Sequence, residues 1–266
     1  MHLIRFIFVV LLLFSCSKKE DYSSIQVIGH AGMGLAMSNS MYHDNSKESV
    51  EYALKMRGCN GVEIDIQLSS DGEFWLYHDQ DLNTETNYTG CISEMSFQDL
   101  NNVKYNSWYH EKLCRLKDID SSLLVGKTLY LDIRTVNFCK DMEVLSQSLL
   151  DALNSISFLH NSGINTVVVS NNQYFLSFLS NNGYNVALEI DVDFDFLNFQ
   201  LLNSSITEFI VKNNNITSSQ ISFYKSNGID VTIFEMRSAS GIRKALKKNP
   251  KAIMTDDLRE AIIEVY

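Results

Sequence analysis

Two carboxylates two residues apart pose the first chemical question. Glu63 and Asp65 lie in the run GVEIDIQL, Gly61–Leu68. Strand side chains alternate between faces, so these two share one face while Val62, Ile64 and Ile66 share the other. Like charges buried side by side repel and lose hydration, and a divalent cation relieves both penalties. All-oxygen ligation favours Mg²⁺, Ca²⁺ or Mn²⁺ over zinc. The same spacing also suits an edge strand with both carboxylates in water. His30 ends one apolar run (Ile25–His30) and His78 another (Phe74–His78). A strand-end histidine can simply pack or cap. Two of them around a carboxylate pair suit acid–base chemistry, because imidazole titrates near neutral pH. Asp79 can orient His78 or open the next loop. His2, His43, His110 and His160 have no such surroundings and read as incidental.

Elements must bring these residues together. Strand-like runs recur at Ile25–His30, Gly61–Leu68, Phe74–His78, Thr128–Ile133, Thr166–Ser170, Val186–Asp191, Glu208–Lys212, Asp230–Glu235 and Ala252–Thr255. Helix-length stretches separate most of them. Lys47–Arg57 carries Val50, Ala53, Leu54 and Met56 near helical spacing, and Asn45 or Ser46 can cap its start. Val144–Leu159 and Ala239–Leu246 read similarly, the latter closed by lysines and Pro250. Alternating strands and helices predict a parallel sheet with helices outside, and near-continuous apolar strands are those buried on both faces. The expected fold is α/β, a (β/α)8 TIM barrel, with a doubly wound open sheet as the alternative. Nine runs exceed the eight a barrel needs, and Ser69–Gly72 is too short for a helical crossover. Either one run is therefore not a barrel strand, or the barrel is irregular there. Residues 80–122 lack the rhythm and read as a rim insertion. In such barrels the site sits at the C-terminal strand ends, where these candidates cluster.

The chain has 266 residues and a net charge of −10, which disfavours nucleic acid as a partner. Residues 1–15 hold one arginine and an apolar run, Phe6–Phe14, too short to span a bilayer but suited to a signal peptide. Cys16 follows at once, then a polar tether to Ser24. This order resembles a bacterial lipoprotein box, which implies lipidation at Cys16, an exported chain in the cell envelope, and membrane contact through the anchor alone. The remaining Cys59, Cys91, Cys114 and Cys139 form no CxxC pair. Cys91 and Cys114 could close a loop; free buried thiols are the other reading, and four cysteines allow three pairings. No protein partner is evident.

Dinucleotide, P-loop and GxSxG templates are absent. IGHAG, DNSKESVEYAL, GVEIDIQLSSDGEFWLYHDQDL and LYLDIRT, taken in order, resemble the glycerophosphodiester phosphodiesterase family. The ending NGIDVTIFEMRSASGIRKALKKNPKAIMTDDL is similar to that family's last two βα units. The likeness runs from about Val27 to Leu258, most of the domain expected over 25–266.

The resemblance implies a barrel, a divalent cation (Mg²⁺ or Ca²⁺) on Glu63 and Asp65, and His30 and His78 as acid and base. Asp132 stands where the family's third metal carboxylate, usually glutamate, belongs. Arg134 stands at a usual lysine and is expected to hold phosphate. Asp44-Asn45-Ser46 stands where the family has Glu-Asn-Thr, which puts Asn45 among the phosphate-binding candidates. Ala31 stands where the family carries an arginine expected to neutralise phosphate. The implied reaction splits a small phosphodiester such as glycerophosphocholine into an alcohol and glycerol phosphate. Rival readings are a phospholipase-D-like enzyme on an intact lipid or wall polymer, and a non-catalytic binding lipoprotein.

Overall fold

The computed structural model describes residues 20–34, 41–133, 139, 142–190 and 205–266. Among these residues nine strands form, where the apolar runs lie: β1 (Gln26–Gly29), β2 (Gly61–Leu68), β3 (Phe74–Leu76), β4 (Thr128–Asp132), β5 (Asn165–Ser170), β6 (Asn185–Ile190), β7 (Glu208–Lys212), β8 (Asp230–Phe234) and β9 (Ala252–Thr255). Eight are parallel, and β1 pairs with both β9 and β2, so the sheet closes into a barrel. The fold is the α/β TIM barrel. The described α-helices are α1 (Lys47–Lys55), α2 (Phe97–Leu100), α3 (Met142–Ser155), α4 (Gln173–Asn181), α5 (Ser218–Ser226), α6 (Ala239–Leu246) and α7 (Leu258–Val265).

The surplus run is β3. It pairs antiparallel with the outer half of β2, Ile66 opposite Leu76 and Leu68 opposite Phe74, whereas the inner half pairs with β4. The five-residue link Ser69–Glu73 is thus a hairpin turn, the connection antiparallel neighbours allow. β2 therefore runs past the barrel rim, and β3 brings the chain back to the mouth. This return delivers His78 although β3 is not a barrel strand.

Alternation along β3 also explains why it is apolar throughout. Phe74 and Leu76 join the main core, while Trp75 and Tyr77 join a second cluster with Leu82, Ile92, Leu100, Val103, Tyr105 and Leu113. Much of the stretch over 80–122 thus carries a core of its own, seated on the hairpin. Inside the barrel a small cluster holds Ile28, Tyr130, Val167, Val169, Ala187, Ile210, Phe234, Ala252 and Met254. Outside, the larger core packs strands against helices; α1 contributes Val50, Ala53 and Leu54. Of its two possible caps, Ser46 acts, accepting from the Ser49 N–H.

Cys91 is bonded to Cys139, which ties the rim insertion to the segment after β4. Cys91 does not close a loop with Cys114, which is a buried free thiol, as is Cys59. Cys114 packs in the main core, and its Sγ donates to the Arg115 carbonyl (3.2 Å). Cys16 and Arg134 lie outside the described residues. Among the described residues no helix is long and apolar enough to cross a membrane.

Candidate active site

Glu63 and Asp65 do share a face, and it is the inside of the barrel. Val62, Ile64 and Ile66 pack outward in the main core, and the carboxylates are each only 3% exposed. The edge-strand alternative is excluded, because β2 is hydrogen-bonded on both sides. Asp132 on β4 is the register partner of Asp65 and is also buried. Oxygens of Glu63, Asp65 and Asp132 lie within 4.8 Å of one another. Burial, then the charge of Asp65, push the Glu63 carboxyl up to about 8, with Asp132 adding and His30 opposing. Three desolvated carboxylates at that spacing fit a hard divalent cation, whose charge offsets their repulsion and whose preferred donors are oxygens.

Asn45 sits directly behind this group. It adopts a left-handed backbone, φ 55°, which asparagine tolerates better than most residues. Its Nδ2 donates to Asp65 Oδ2 (2.8 Å), and its Oδ1 accepts from the Asp65 N–H (3.0 Å). The structure thus gives the expected phosphate binder another task, aiming a carboxylate of the triad.

His30 follows β1 and is 8% exposed. Its Nδ1 lies 2.7 Å from Asp256 Oδ1 and its Nε2 lies 3.7 Å from Glu63 Oε2. Burial alone would lower its pKa, but the Asp256 hydrogen bond and the charges of Glu63, Asp256 and Asp65 raise it to about 9. Asp256 follows β9 and is 1% exposed. Gly34 packs on its backbone: φ is 113°, and a Cβ there would stand 1.9 Å from the Asp256 carbonyl oxygen, so only glycine fits. Ala31, φ 48° and fully buried, donates its N–H to Glu63 Oε2 (2.9 Å).

His78 comes from the other side, with its Nδ1 2.7 Å from Asp79 Oδ1. Gln67, on the same face of β2 as Glu63 and Asp65, donates from Nε2 to the carbonyls of Tyr77 (3.1 Å) and Asp79 (2.6 Å). One side chain therefore clamps the backbone on both sides of His78. The Tyr77 N–H closes the hairpin on the Asp65 carbonyl (3.0 Å).

Strand-end polarity, the signal that marks His30, also marks Asp256 after β9 and Arg237 after β8, neither of which the sequence reading singled out. His43 is not incidental either. It stacks on Tyr105 (4.0 Å, 16°) and forms a cluster with Asp44 and Glu85, ligand atoms within 4.8 Å. Burial lowers the His43 pKa but its bonds to Asp44 raise it further, to about 9, while burial and Asp44 push Glu85 up to about 7.

A closed βα barrel with an oxygen-rich triad and two histidines at its mouth defines a class of barrel suited to metal-assisted acid–base chemistry. The Glycerophosphoryl diester phosphodiesterase family matches residues 30–260, and the chain belongs to it. It is 31% identical over 71 residues to a glycerophosphodiester phosphodiesterase of Bacillus altitudinis, covering 27% of this chain and 29% of that protein. It is 24% identical over 139 residues to human glycerophosphodiester phosphodiesterase 1, covering 48% and 42%. The aligned stretches thus span under half the length of these curated relatives. Its fold is similar to that of an Oleispira antarctica phosphodiesterase in complex with the product sn-glycerol-3-phosphate: TM-score 0.77, 21% identity, 90% of this chain and 96% of that one. A Parabacteroides distasonis glycerophosphodiester phosphodiesterase aligns with TM-score 0.72 at 17% identity, covering 91% and 97%.

Proposed function

We propose that this chain hydrolyses a glycerophosphodiester to an alcohol and glycerol phosphate, using one divalent cation, Mg²⁺ or Ca²⁺. The observation that carries the reading is the juxtaposition of Glu63, Asp65 and Asp132 with a histidine held by its own carboxylate. The cation, held by those three carboxylates, would supply Lewis-acid stabilisation of charge at the phosphoryl oxygens. Asp256 fixes the ring of His30 through Nδ1, so its proton moves at Nε2, the nitrogen on the Glu63 side. Asp79 does the same for His78. The two histidines approach from different strands, so one takes the nucleophile's proton while the other protonates the leaving alkoxide. Gln67 and Asn45 keep His78 and Asp65 in place, which matters because small displacements of positioned groups cost large factors in rate.

Cys16 is the proposed lipidation site of an exported, envelope-anchored protein whose contact with the membrane is that anchor. The Cys91–Cys139 disulfide supports this placement, because such bonds persist in oxidising compartments. A Cys16→Ser variant expressed in bacteria is expected in the soluble fraction; retention on membranes in high salt would contradict lipidation.

Phosphorus NMR of glycerophosphocholine incubated with the protein tests the reaction. The expected products are glycerol phosphate and choline, with no turnover after chelation and recovery on adding Mg²⁺ or Ca²⁺. No cleavage of any member of a glycerophosphodiester panel would overturn the assignment.

A further inference from the structure

We propose that Arg237 holds the substrate's phosphate, supplying the cation that position 31 does not. The proposal rests on the hydrolase reading above and names a residue that the reading itself does not use.

Position 31 cannot supply it. Ala31 is fully buried on a left-handed backbone, its N–H is engaged by Glu63, and its carbonyl accepts from the Asn45 N–H (3.0 Å). A cation at this corner serves the charge balance. Glu63, Asp65 and Asp132 are three buried carboxylates close together, and Asp256, bonded to His30, is a fourth buried one. Even with a divalent cation bound and His30 protonated, these groups remain one charge negative, which repels a phosphodiester in a low-dielectric pocket.

Arg237 is built into the same corner. After β8 the chain turns through Glu235, φ 66°, and buries Met236. The Met236 carbonyl accepts from the Asp256 N–H (3.1 Å) and from Thr255 Oγ1 (3.3 Å), which fastens this turn to the end of β9. Arg237 comes next, and its Nε donates to Asp256 Oδ2 (3.1 Å). The other oxygen of that carboxylate holds His30. Arg237 and His30 are thus two arms of one anchor. A left-handed non-glycine residue is uncommon and persists where surrounding structure enforces it, here the turn that aims Arg237.

The two members of the ion pair differ in exposure. The Asp256 side chain is 1% exposed and that of Arg237 is 64% exposed. One N–H holds the guanidinium to the carboxylate that also holds His30, and the rest of the side chain is largely open to solvent. Beyond Nε the guanidinium carries four further N–H donors in a planar fork, which match two phosphate oxygens in a geometry that lysine cannot reproduce.

Calorimetric titration of sn-glycerol 3-phosphate, and of inorganic phosphate, into the full chain saturated with Mg²⁺ tests this without requiring turnover. Arg237→Gln is expected to weaken binding of both by roughly 10- to 100-fold, the range for a hydrogen bond to a charged group. Arg237→Lys is expected to recover part of the loss, and Mg²⁺ affinity to stay within about threefold in both variants. Equal affinity for glycerol phosphate in wild type and Arg237→Gln would overturn the proposal, as would no binding to either. A shifted His30 pKa with unchanged product affinity would also overturn it, because that pattern assigns Arg237 to positioning Asp256 alone. Failure of the hydrolase reading shows separately, as a wild-type chain that binds the product but cleaves no diester.

Discussion

Asp256 Oδ1 lies 2.7 Å from His30 Nδ1, although 226 residues separate them in sequence. Barrel closure makes the contact. β1 and β9 are hydrogen-bonded neighbours, Gly29 is the register partner of Thr255, and the next residue of each strand carries the pair. An arrangement of this kind sets the tautomer and orientation of an imidazole, and it stabilises the imidazolium.

Asp256→Asn preserves shape but removes the charge and disturbs the tautomer. It should lower kcat on a glycerophosphodiester by about 10²–10⁴-fold, the share an acid–base residue contributes. NMR titration should show the His30 pKa falling from near 9 as its buried partner is lost. An unchanged kcat would show that Asp256 has no part in catalysis.

Much of this site was legible before the fold. Period-two alternation along GVEIDIQL put Glu63 and Asp65 on one face, and the structure buries that face inside the barrel. The short Ser69–Gly72 link marked an irregularity, and it is the β2–β3 hairpin. Asp256 was less visible: it sits in a plain Thr-Asp-Asp run, and its partner is fixed only by closure of the sheet. The task of Asn45 was hidden for a related reason. A helix-start asparagine reads as a cap, and its bonds to Asp65 exist only once α1 packs beside β2. The cysteines illustrate the limit of proximity arguments. Cys91 and Cys114 are 23 positions apart in sequence, yet Cys91 bonds to Cys139, 48 positions away.

Asn45 supports a proposed metal ligand through two hydrogen bonds, so its loss should be felt in metal affinity. Asn45→Gly keeps the left-handed backbone accessible while removing the carboxamide. Mg²⁺ or Ca²⁺ affinity by calorimetry should fall by roughly 10- to 100-fold, as for other residues that orient metal ligands. Wild-type affinity in this variant would show that Asp65 needs no such support.

Protonation should make the metal-free protein pH-sensitive in one direction. His30 is raised from 6.5 to about 9, so its stabilising contribution is complete below 6.5 and lost as pH rises through 9. Glu63 is raised from 4.5 to about 8, so the fold binds its proton more tightly and loses stability as pH climbs across that interval. Both shifts act together. The Tm of chelated protein should fall between pH 5 and pH 9, and added Mg²⁺ or Ca²⁺ should raise it most at the alkaline end, where Glu63 gives up its proton without cost. A Tm that rises with pH after chelation would contradict the burial of these groups.

The disulfide predicts a thiol count and a stability loss. In denatured, unreduced protein Cys59 and Cys114 should react with a thiol reagent, while Cys91 and Cys139 should not. Cys91→Ser opens a link between residues 48 apart, which loop-closure entropy values at about 4 kcal/mol. Denaturant unfolding measures it. Reactive Cys91 in the unreduced chain would refute the pairing.

In the proposed reaction one cation on Glu63, Asp65 and Asp132 is required for diester cleavage. The most direct test titrates Mg²⁺ or Ca²⁺ into chelated protein while recording binding heat and the rate of glycerophosphodiester hydrolysis together. One cation per chain is expected, with a rate that rises in step with occupancy, and both should be lost in Asp65→Asn. Full activity in the metal-free protein, or undiminished cation binding by Asp65→Asn, would contradict it.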